Sequence, residues 1–416
     1  TADGAQVEIG NMLQRLRELA VQASSDTLDS QNRAFLNAEA TALKNEINRV
    51  TEQTRWNNLN LLDGTYTGNK FQVGFKGFET IDVSIDSSHT TKLGAYNLHS
   101  DSHVTSDTII ASQTLVVSGY LGAGTVTLDA SATGANSSVE AVAAKINAIT
   151  KDTGVEASAV SKAKLSLFTN TGSYSMQLVG NRPTSGARTA TAVTATLSAT
   201  SDLDPLVTAI NAKAAATGIT ATLGATAAEI ILTHSTGEDI EIHTFKGTNT
   251  DASATLTSLD KYGNSHAAAD ATLNRASGAT DDKVSLANVS NSKSGIVVGN
   301  LTLTSIKTFS ITGDDATAEE GYFHTGMKYT GATTVGGTAA MSNVANLSID
   351  SQENATAAIA VLDGAIAKID QQRADLGAIS NRLSSSIDNN VAMITNTESS
   401  KSHILDTDFA VETTKL

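Results

Sequence analysis

The fold is decided near the end of the chain, by residues 362–394, which read LDGAIAKIDQQRADLGAISNRLSSSIDNNVAMI. Residues recur there at alternating intervals of four and three, which is the spacing of a heptad seam. This spacing predicts one helix from about residue 351 to 405, on the order of 60–75 Å long. We interpret the polar seam residues Arg373, Ser380 and Asn390 as residues that fix the register of this helix against its partners. A helix with a single apolar seam needs partner helices. The apolar seam residues are Leu362, Ile366, Ile369, Leu376, Leu383, Ile387 and Ile394.

The partner helices are predicted at the opposite end of the chain. One carries the same four-three spacing and another follows a polar break at residues 26–30, running from about residue 30 to 52. The matching seams predict a bundle of three or more helices that contains both ends of the chain. Everything between is then an insertion into that bundle. The seam of the first helix is Ile9, Leu13, Leu16, Ala20 and Ala23, and the predicted inward residues of the second are Phe35, Leu36, Leu43, Ile47 and Val50.

Composition excludes several classes of protein. The 416 residues carry a net charge of −15, which argues against binding to a nucleic-acid backbone. No apolar run approaches the roughly 20 residues of a membrane span, and the residues at the N-terminus do not have the pattern of a signal peptide. The chain contains no Cys, so it has neither disulfides nor thiolate sites. It opens inside a helical pattern and stops within an amphipathic run, so we expect the helices to continue beyond both ends.

The middle of the chain, about residues 100–345, is rich in small residues and short alternating runs that predict strands. It also contains a repeat. Ile146-Asn147 and Gly154 recur as Ile210-Asn211 and Gly218, a shift of 64 positions (210 minus 146). Each copy predicts a helix of about ten residues that Gly ends, followed by strands. The predicted strands include Gln113–Val117, Thr125–Leu128, Leu165–Phe168, Ile230–Thr233, Gly295–Leu303 and Thr308–Thr312.

Several motifs resemble the conserved regions of bacterial flagellins, in the order of that family. They are LQRLRELAVQ at residues 13–22, WNNLNLLDG at 56–64, RADLGA at 373–378 and DTDFA at 406–410. The resemblance covers about residues 1–95 and 345–416, and the internal repeat resembles the flagellin Ile-Asn repeat of variable domains.

The resemblance implies a multidomain α+β fold. Its rod domain is a discontinuous helical coiled coil with a β-hairpin, formed by residues 1–95 and 345–416, and an inserted variable region faces solvent. We expect three modules there: 96–180 and 181–266, each α+β with one Ile-Asn repeat, and a β-rich 267–344. The implied function is that of a structural subunit of the flagellar filament, which serves motility. The implied location is extracellular, on the cell-surface flagellum, after secretion through the flagellar channel.

The sequence contains only weak candidates for catalytic or metal-binding sites. His99 and His103 have a ligand-like spacing, but the chain has no H-E-x-x-H motif. Gly119-x-x-Gly122-x-Gly124 precedes a strand rather than a helix, so we interpret it as a hairpin turn. We expect no cofactor and no enzyme activity. The acidic residues Asp314, Asp315, Glu319 and Glu320 form a candidate Ca²⁺ loop, although a solvated acidic turn fits them better.

The more informative site is the first helix. Leu19 lies off the seam, and either the β-hairpin or the second helix covers it, or a partner protein does. In flagellins the matching surface makes contacts between subunits and is recognised by a host Toll-like receptor. The residues of this chain that match that flagellin surface by position are Gln14, Arg15, Leu19, Gln22 and Glu39.

Other partners implied by the resemblance are further flagellin subunits, an export chaperone and the filament cap. An alternative function is a surface protein whose variable modules bind polysaccharide or host tissue, and a second alternative is an enzyme embedded in the insertion. The middle of the chain has few aromatic residues to form a glycan platform.

Overall fold

The computed structural model describes residues 1–25, 27–74, 77–100, 102–105, 113–128, 138–180, 190–249, 251–263, 283–287, 295–314, 334–405 and 413–414. The chain divides into two compact units. Residues 1–95 and 342–416 form the helical unit, and residues 96–341 form the inserted unit. Both ends of the chain therefore belong to one unit.

The described ranges contain seven α-helices, of which the first two and the last belong to the helical unit. They are α1 (Ala2–Ala23), α2 (Ser30–Gln53), α3 (Val139–Ala148), α4 (Thr150–Thr153), α5 (Asp204–Asn211), α6 (Ala214–Thr217) and α7 (Gln352–Leu405). The predictions of a helix from about 30 to 52 and of one helix from about 351 to 405 are confirmed. Helix α7 has 54 residues, which corresponds to about 80 Å.

The strand pairs whose register is described are antiparallel. In the first half they are β1 (Arg55–Trp56), β2 (Leu59–Asn60), β3 (Asn69–Gln72), β4 (Thr80–Val83), β5 (Gly94–His99), β6 (His103–Thr105), β7 (Gln113–Ser118), β8 (Ala123–Leu128), β9 (Glu156–Ser166), β10 (Gly172–Val179) and β11 (Thr191–Leu197). In the second half they are β12 (Ile219–Leu223), β13 (Glu229–His234), β14 (Ile240–Gly247), β15 (Ser253–Leu259), β16 (Lys283–Ala287), β17 (Gly295–Val298), β18 (Asn300–Ser305), β19 (Ser310–Asp314), β20 (Thr334–Thr338) and β21 (Ala340–Asn343).

The core of the helical unit lies where α1 packs against both α2 and α7. The turn between α1 and α2 is fixed by side chains. Asp29 caps α2 by accepting from the Asn32 N–H at 2.7 Å, and Arg33 donates to the Ala23 and Ser25 carbonyls, each at 2.8 Å. The buried residues of this core include Ile9, Leu13, Leu16, Leu19, Ala20, Ala40, Ile47, Leu362, Ala365 and Ile369.

A buried polar contact ties α1 to α7. The Gln6 side chain donates to Gln372 Oε1 at 3.0 Å, and Ser88 donates to the same oxygen at 3.0 Å. Gln6 and Ser88 are fully buried and Gln372 nearly so. Because buried polar groups need partners, this contact favours one alignment of the two helices. Three polar seam residues were predicted to fix the register of α7. Arg373 donates to Asp3 at 2.9 Å and Asn390 donates to the Val73 carbonyl, whereas Ser380 is exposed.

The inserted unit contains three of the sheets. Their strand orders are β11-β10-β14-β17-β6, then β12-β13-β9-β18-β5-β21 with β15 and β16 attached beside β9, and β20-β19-β7-β8. Strand β9 lies between β13 and β18, so one sheet joins strands from all three predicted modules. Residues 96–180, 181–266 and 267–344 therefore do not fold as separate sheets, and their boundaries as modules stay a prediction.

Of the six predicted strands, three lie within observed ones and three differ locally. The predicted strand Thr308–Thr312 begins two residues too early, because β19 starts at Ser310. The predicted strand Leu165–Phe168 is wrong at its end, because β9 stops at Ser166 and Leu167 adopts a left-handed φ of 56°. The predicted strand Gly295–Leu303 is interrupted at Gly299, between β17 and β18. The predicted hairpin turn at Gly119 is confirmed, because its N–H donates to the Gly122 carbonyl at 2.9 Å between β7 and β8.

The two Ile-Asn repeats have the same geometry. In each, the Ile is fully buried, and the Asn side chain both donates to and accepts from the backbone of a residue ten positions later. Asn147 bonds Ala157 at 2.9 and 2.8 Å, and Asn211 bonds Ala221 at 2.8 Å twice. The amide therefore takes the place of a neighbouring strand for the chain that leaves the helix. Gly154 and Gly218, both at φ 71°, end the short helices α4 and α6. The prediction that Gly ends the helix through the Ile-Asn pair is wrong, because α3 already ends at Ala148 and α5 at Asn211, and a separate short helix follows each.

Candidate subunit interface

Four of the five predicted interface residues lie on the surface of the helical unit. Gln14, Arg15 and Gln22 are exposed on α1, and Glu39 is exposed on α2. The Arg15 guanidinium donates twice to Glu39 Oε1, at 3.0 and 2.8 Å, and once to Glu18 Oε2 at 3.0 Å. These bonds, that to Glu18 first, raise the pKa of Arg15. Exposed ion pairs contribute little to stability, but this one holds the guanidinium in place between two helices.

Leu19 is not part of this surface. Its side chain is 1% exposed and belongs to the core of the helical unit, so the idea that a partner protein covers it is wrong. The physical reason is that α1 packs against two helices, so its buried face is wider than a single heptad seam. Leu16, Leu19, Ala20 and Ala23 are all buried. The alternative, in which Leu19 is covered from within the chain, is what the structure shows.

Phe35 is a second residue whose predicted position is wrong. It was predicted to face inward, but its side chain is 64% exposed on α2. The residues at four-three spacing on α2 are Leu36, Ala40, Leu43, Ile47 and Val50, and all of them are buried or partly buried. Phe35 is next to that seam but not on it, which is the signal that would have placed it correctly.

The distal half of α7 carries an apolar seam that the described residues leave exposed. Ile387, Val391 and Ile394 are 58%, 57% and 58% exposed, and every residue from Val391 to His403 is exposed. Their spacing of four and three places them on one face of the helix. Nearby, Asn390 anchors α7 to the end of β3, and Phe71 and Phe78 of the β3–β4 hairpin are also exposed. Heptad analysis found Ile387 and Ile394 but could not show that their face is free.

The candidate metal residues fall largely outside the described residues. This applies to Asp315, Glu319 and Glu320, whereas Asp314 ends β19, His99 ends β5 and His103 begins β6. Within the described ranges, no three His, Asp or Glu side chains converge to hold a metal ion. In those ranges, too, no helix combines the length and the apolar character that a bilayer span requires.

Comparison with protein families gives three matches. The model of the bacterial flagellin N-terminal helical region matches residues 1–67, and that of the bacterial flagellin C-terminal helical region matches residues 359–416. The flagellin hook IN motif matches residues 114–171 and 184–236, which contain the two Ile-Asn repeats.

Two similar solved structures share little sequence identity with this chain and superpose on it with low TM-scores. FliC from Burkholderia pseudomallei is 18% identical with a TM-score of 0.32, covering 92% of this chain and 96% of that one. Flagellar hook associated protein-3 from Legionella pneumophila is 12% identical with a TM-score of 0.35, covering 98% and 92%. The assignment to a family therefore rests on sequence.

Two curated relatives align with the whole chain. The B-type flagellin of Pseudomonas aeruginosa is 30% identical over 420 residues, covering 100% of this chain and 78% of that protein. The flagellin of Salmonella typhimurium is 29% identical over 435 residues, covering 100% and 79%. The chain belongs to the bacterial flagellin family.

Proposed function

We propose that this protein is a structural subunit of the bacterial flagellar filament, outside the cell, and that it assembles through the exposed seam of α7. The observation that carries the proposal is the apolar face of Ile387, Val391 and Ile394. A helix that exposes apolar residues at heptad spacing favours packing against another helix. In a filament of identical chains, the partner helix comes from a second copy.

The rest of the helical unit suits a load-transmitting subunit. Arg17 bonds Asp363 at 2.6 Å and Arg373 bonds Asp3 at 2.9 Å, so α1 and α7 are joined along their length as well as through their apolar core. Flagellins are structural proteins, so the prediction that the chain is not an enzyme is confirmed by its family.

The first prediction concerns the α7 seam. Replacing both Ile387 and Val391 with Asp is expected to abolish filament formation, because a charge in a helix–helix contact is strongly unfavourable. Folding is expected to persist, because both residues are exposed. Filaments are scored by electron microscopy and sedimentation, and folding by circular dichroism.

The matched control is Asn389→Asp, which adds a charge at an exposed position of the same helix that lies off the seam. It is expected to assemble as the parent does. If the protein with both Ile387→Asp and Val391→Asp formed normal filaments, the α7 seam would not be the assembly surface. Loss of helicity in that protein, with no loss in the control, would assign the seam to folding instead of assembly.

We also propose that the exposed surface of Gln14, Arg15, Gln22 and Glu39 contacts another protein, either a neighbouring subunit or a host Toll-like receptor. The supporting observation is that two carboxylates hold the Arg15 guanidinium in place on that surface. A pre-positioned guanidinium loses little side-chain entropy when it binds, and Arg is frequent in binding hot spots.

The second prediction is that Arg15→Ala weakens assembly or receptor signalling about tenfold, with an unchanged unfolding midpoint. Arg49→Ala is the control, because Arg49 is an exposed residue of α2 that pairs with Glu46 on its own helix. Purified variants are compared for filament yield and in a receptor reporter assay. Equal behaviour of the two variants in both measurements would contradict the role of Arg15.

A further inference from the structure

The buried contact between Gln6 and Gln372 leaves one atom of each amide without a protein partner. Gln6 Nε2 donates to Gln372 Oε1 at 3.0 Å, and Ser88 Oγ donates to the same oxygen at 3.0 Å. The outer atoms of the two amides are the acceptor Gln6 Oε1 and the donor Gln372 Nε2. Both atoms are shielded from solvent, and among the described residues neither has a hydrogen-bond partner. Buried polar groups in proteins are almost always paired, so these two atoms require an explanation.

Three separate segments of the helical unit hold this polar cluster in place. Gln6 lies on α1 and Gln372 on α7, and both side chains are buried where these helices pack. Ser88 is fully buried, and its backbone is held on both sides. The Ser88 N–H donates to the Leu62 carbonyl at 2.8 Å, and the Ser88 carbonyl accepts from Thr51 Oγ1 at 3.2 Å. The two unpaired atoms therefore have defined positions in a packed core.

The two unpaired atoms require a ligand that both donates and accepts hydrogen bonds. A cation would leave the Gln372 donor unpaired, and an anion would leave the Gln6 acceptor unpaired, so neither kind of ion fits. Exchanging the oxygen and nitrogen of both amides would reverse the bond between Gln6 and Gln372. It would still leave one outer acceptor and one outer donor, so the requirement is the same for either orientation of the amides.

We propose that the contact between α1 and α7 contains a binding site for one internal water molecule, a property independent of the proposed assembly surface. The water donates to Gln6 Oε1 and accepts from Gln372 Nε2. Its second hydrogen is available to Ser88 Oγ, because a hydroxyl that donates can also accept. Buried waters typically make about three hydrogen bonds. With the water bound, each amide is bonded through both its oxygen and its nitrogen, which strengthens the preference for one alignment of α1 on α7.

The third prediction tests this site on the intact chain. A crystal structure at a resolution that shows ordered water is expected to contain one density peak within hydrogen-bond distance of both the Gln6 and the Gln372 side chains. The peak should be enclosed by protein, because both side chains are buried. If the two amides instead paired directly through both oxygens and both nitrogens, with no density between them, the proposal would be overturned.

Matched variants test the same site in solution. Gln6→Met keeps the length of the side chain but removes its amide, so the number of long-lived internal waters is expected to fall by one per molecule. That number is measured by magnetic relaxation dispersion of the water oxygen, and folding by circular dichroism. The control is Gln371→Met at the neighbouring exposed position of α7, where the amide donates to Asp375 at 2.9 Å, and it is expected to leave the number unchanged. An unchanged number in folded Gln6→Met would overturn the proposal, and the crystal structure of the parent decides the question without any variant.

Discussion

Leu19→Asp is expected to unfold the helical unit. The Leu19 side chain is 1% exposed, in the core that α1 shares with α2 and α7. A carboxylate placed there has no described cation beside it and loses its hydration, which costs on the order of 5 kcal/mol. That equals much of the stability of a typical domain. We expect loss of the helical circular dichroism signal at physiological temperature, or a greatly lowered unfolding midpoint.

The control for this experiment is Val21→Asp on the same helix. Val21 is 47% exposed, so its replacement by Asp is expected to change stability by no more than about 0.5 kcal/mol. The comparison also decides how a loss of receptor signalling or assembly in Leu19→Asp should be interpreted. If Leu19→Asp retained the unfolding midpoint of Val21→Asp, Leu19 would not be part of the core, and a direct contact with a partner would be possible again.

Ile210→Ala is expected to destabilise the inserted unit by about 3–4 kcal/mol. Ile210 is fully buried in a cluster that includes Leu203, Leu206 and Ile219, and removing its outer carbons leaves a cavity. Urea denaturation followed by circular dichroism, with local hydrogen exchange across α5 and β12, measures the effect. Ile146, its equivalent in the other repeat, is fully buried in a different cluster and is expected to give a loss of similar size.

The adjacent Asn provides an internal comparison. Asn211→Ala removes two bonds to Ala221 at an exposed position, and is expected to cost only about 1–2 kcal/mol. Its effect should appear as faster hydrogen exchange at the Ala221 amide. A larger loss from Asn211→Ala than from Ile210→Ala would show that the hydrogen bonds, and not the apolar contact, stabilise the repeat.

The sequence predicted helices better than it predicted surfaces. Heptad spacing placed α7 within one residue of its observed start, and the polar break before residue 30 placed α2 equally well. The same patterns misplaced Leu19 and Phe35, because periodicity identifies the faces of a helix but not how many partners it has. The Gln6–Gln372 contact was missed for a related reason. Glutamine is usually exposed, and only the packing of α1 on α7 shows that this pair is buried.

The contact between His99 and Lys261 shows the limit of sequence-based prediction more sharply. The sequence showed only the ligand-like spacing of His99 and His103, whereas in the structure His99 ends β5 and contacts Lys261, 162 positions away. No local pattern encodes such a contact. Likewise, the repeat at Ile146 and Ile210 was evident in the sequence, whereas the bonds of its Asn residues to the strand ten positions later required coordinates.

The sequence by itself determined the long helices, the repeated Ile-Asn unit and the resemblance to flagellins. These follow from residue spacing and from motifs, which are properties of neighbouring positions in the chain. The tertiary structure decided that Leu19 is core, that the α7 seam is exposed beyond Asn390, and that β9 joins strands of all three predicted modules. Burial and strand pairing depend on contacts between residues far apart in sequence, and only the folded chain brings those residues together.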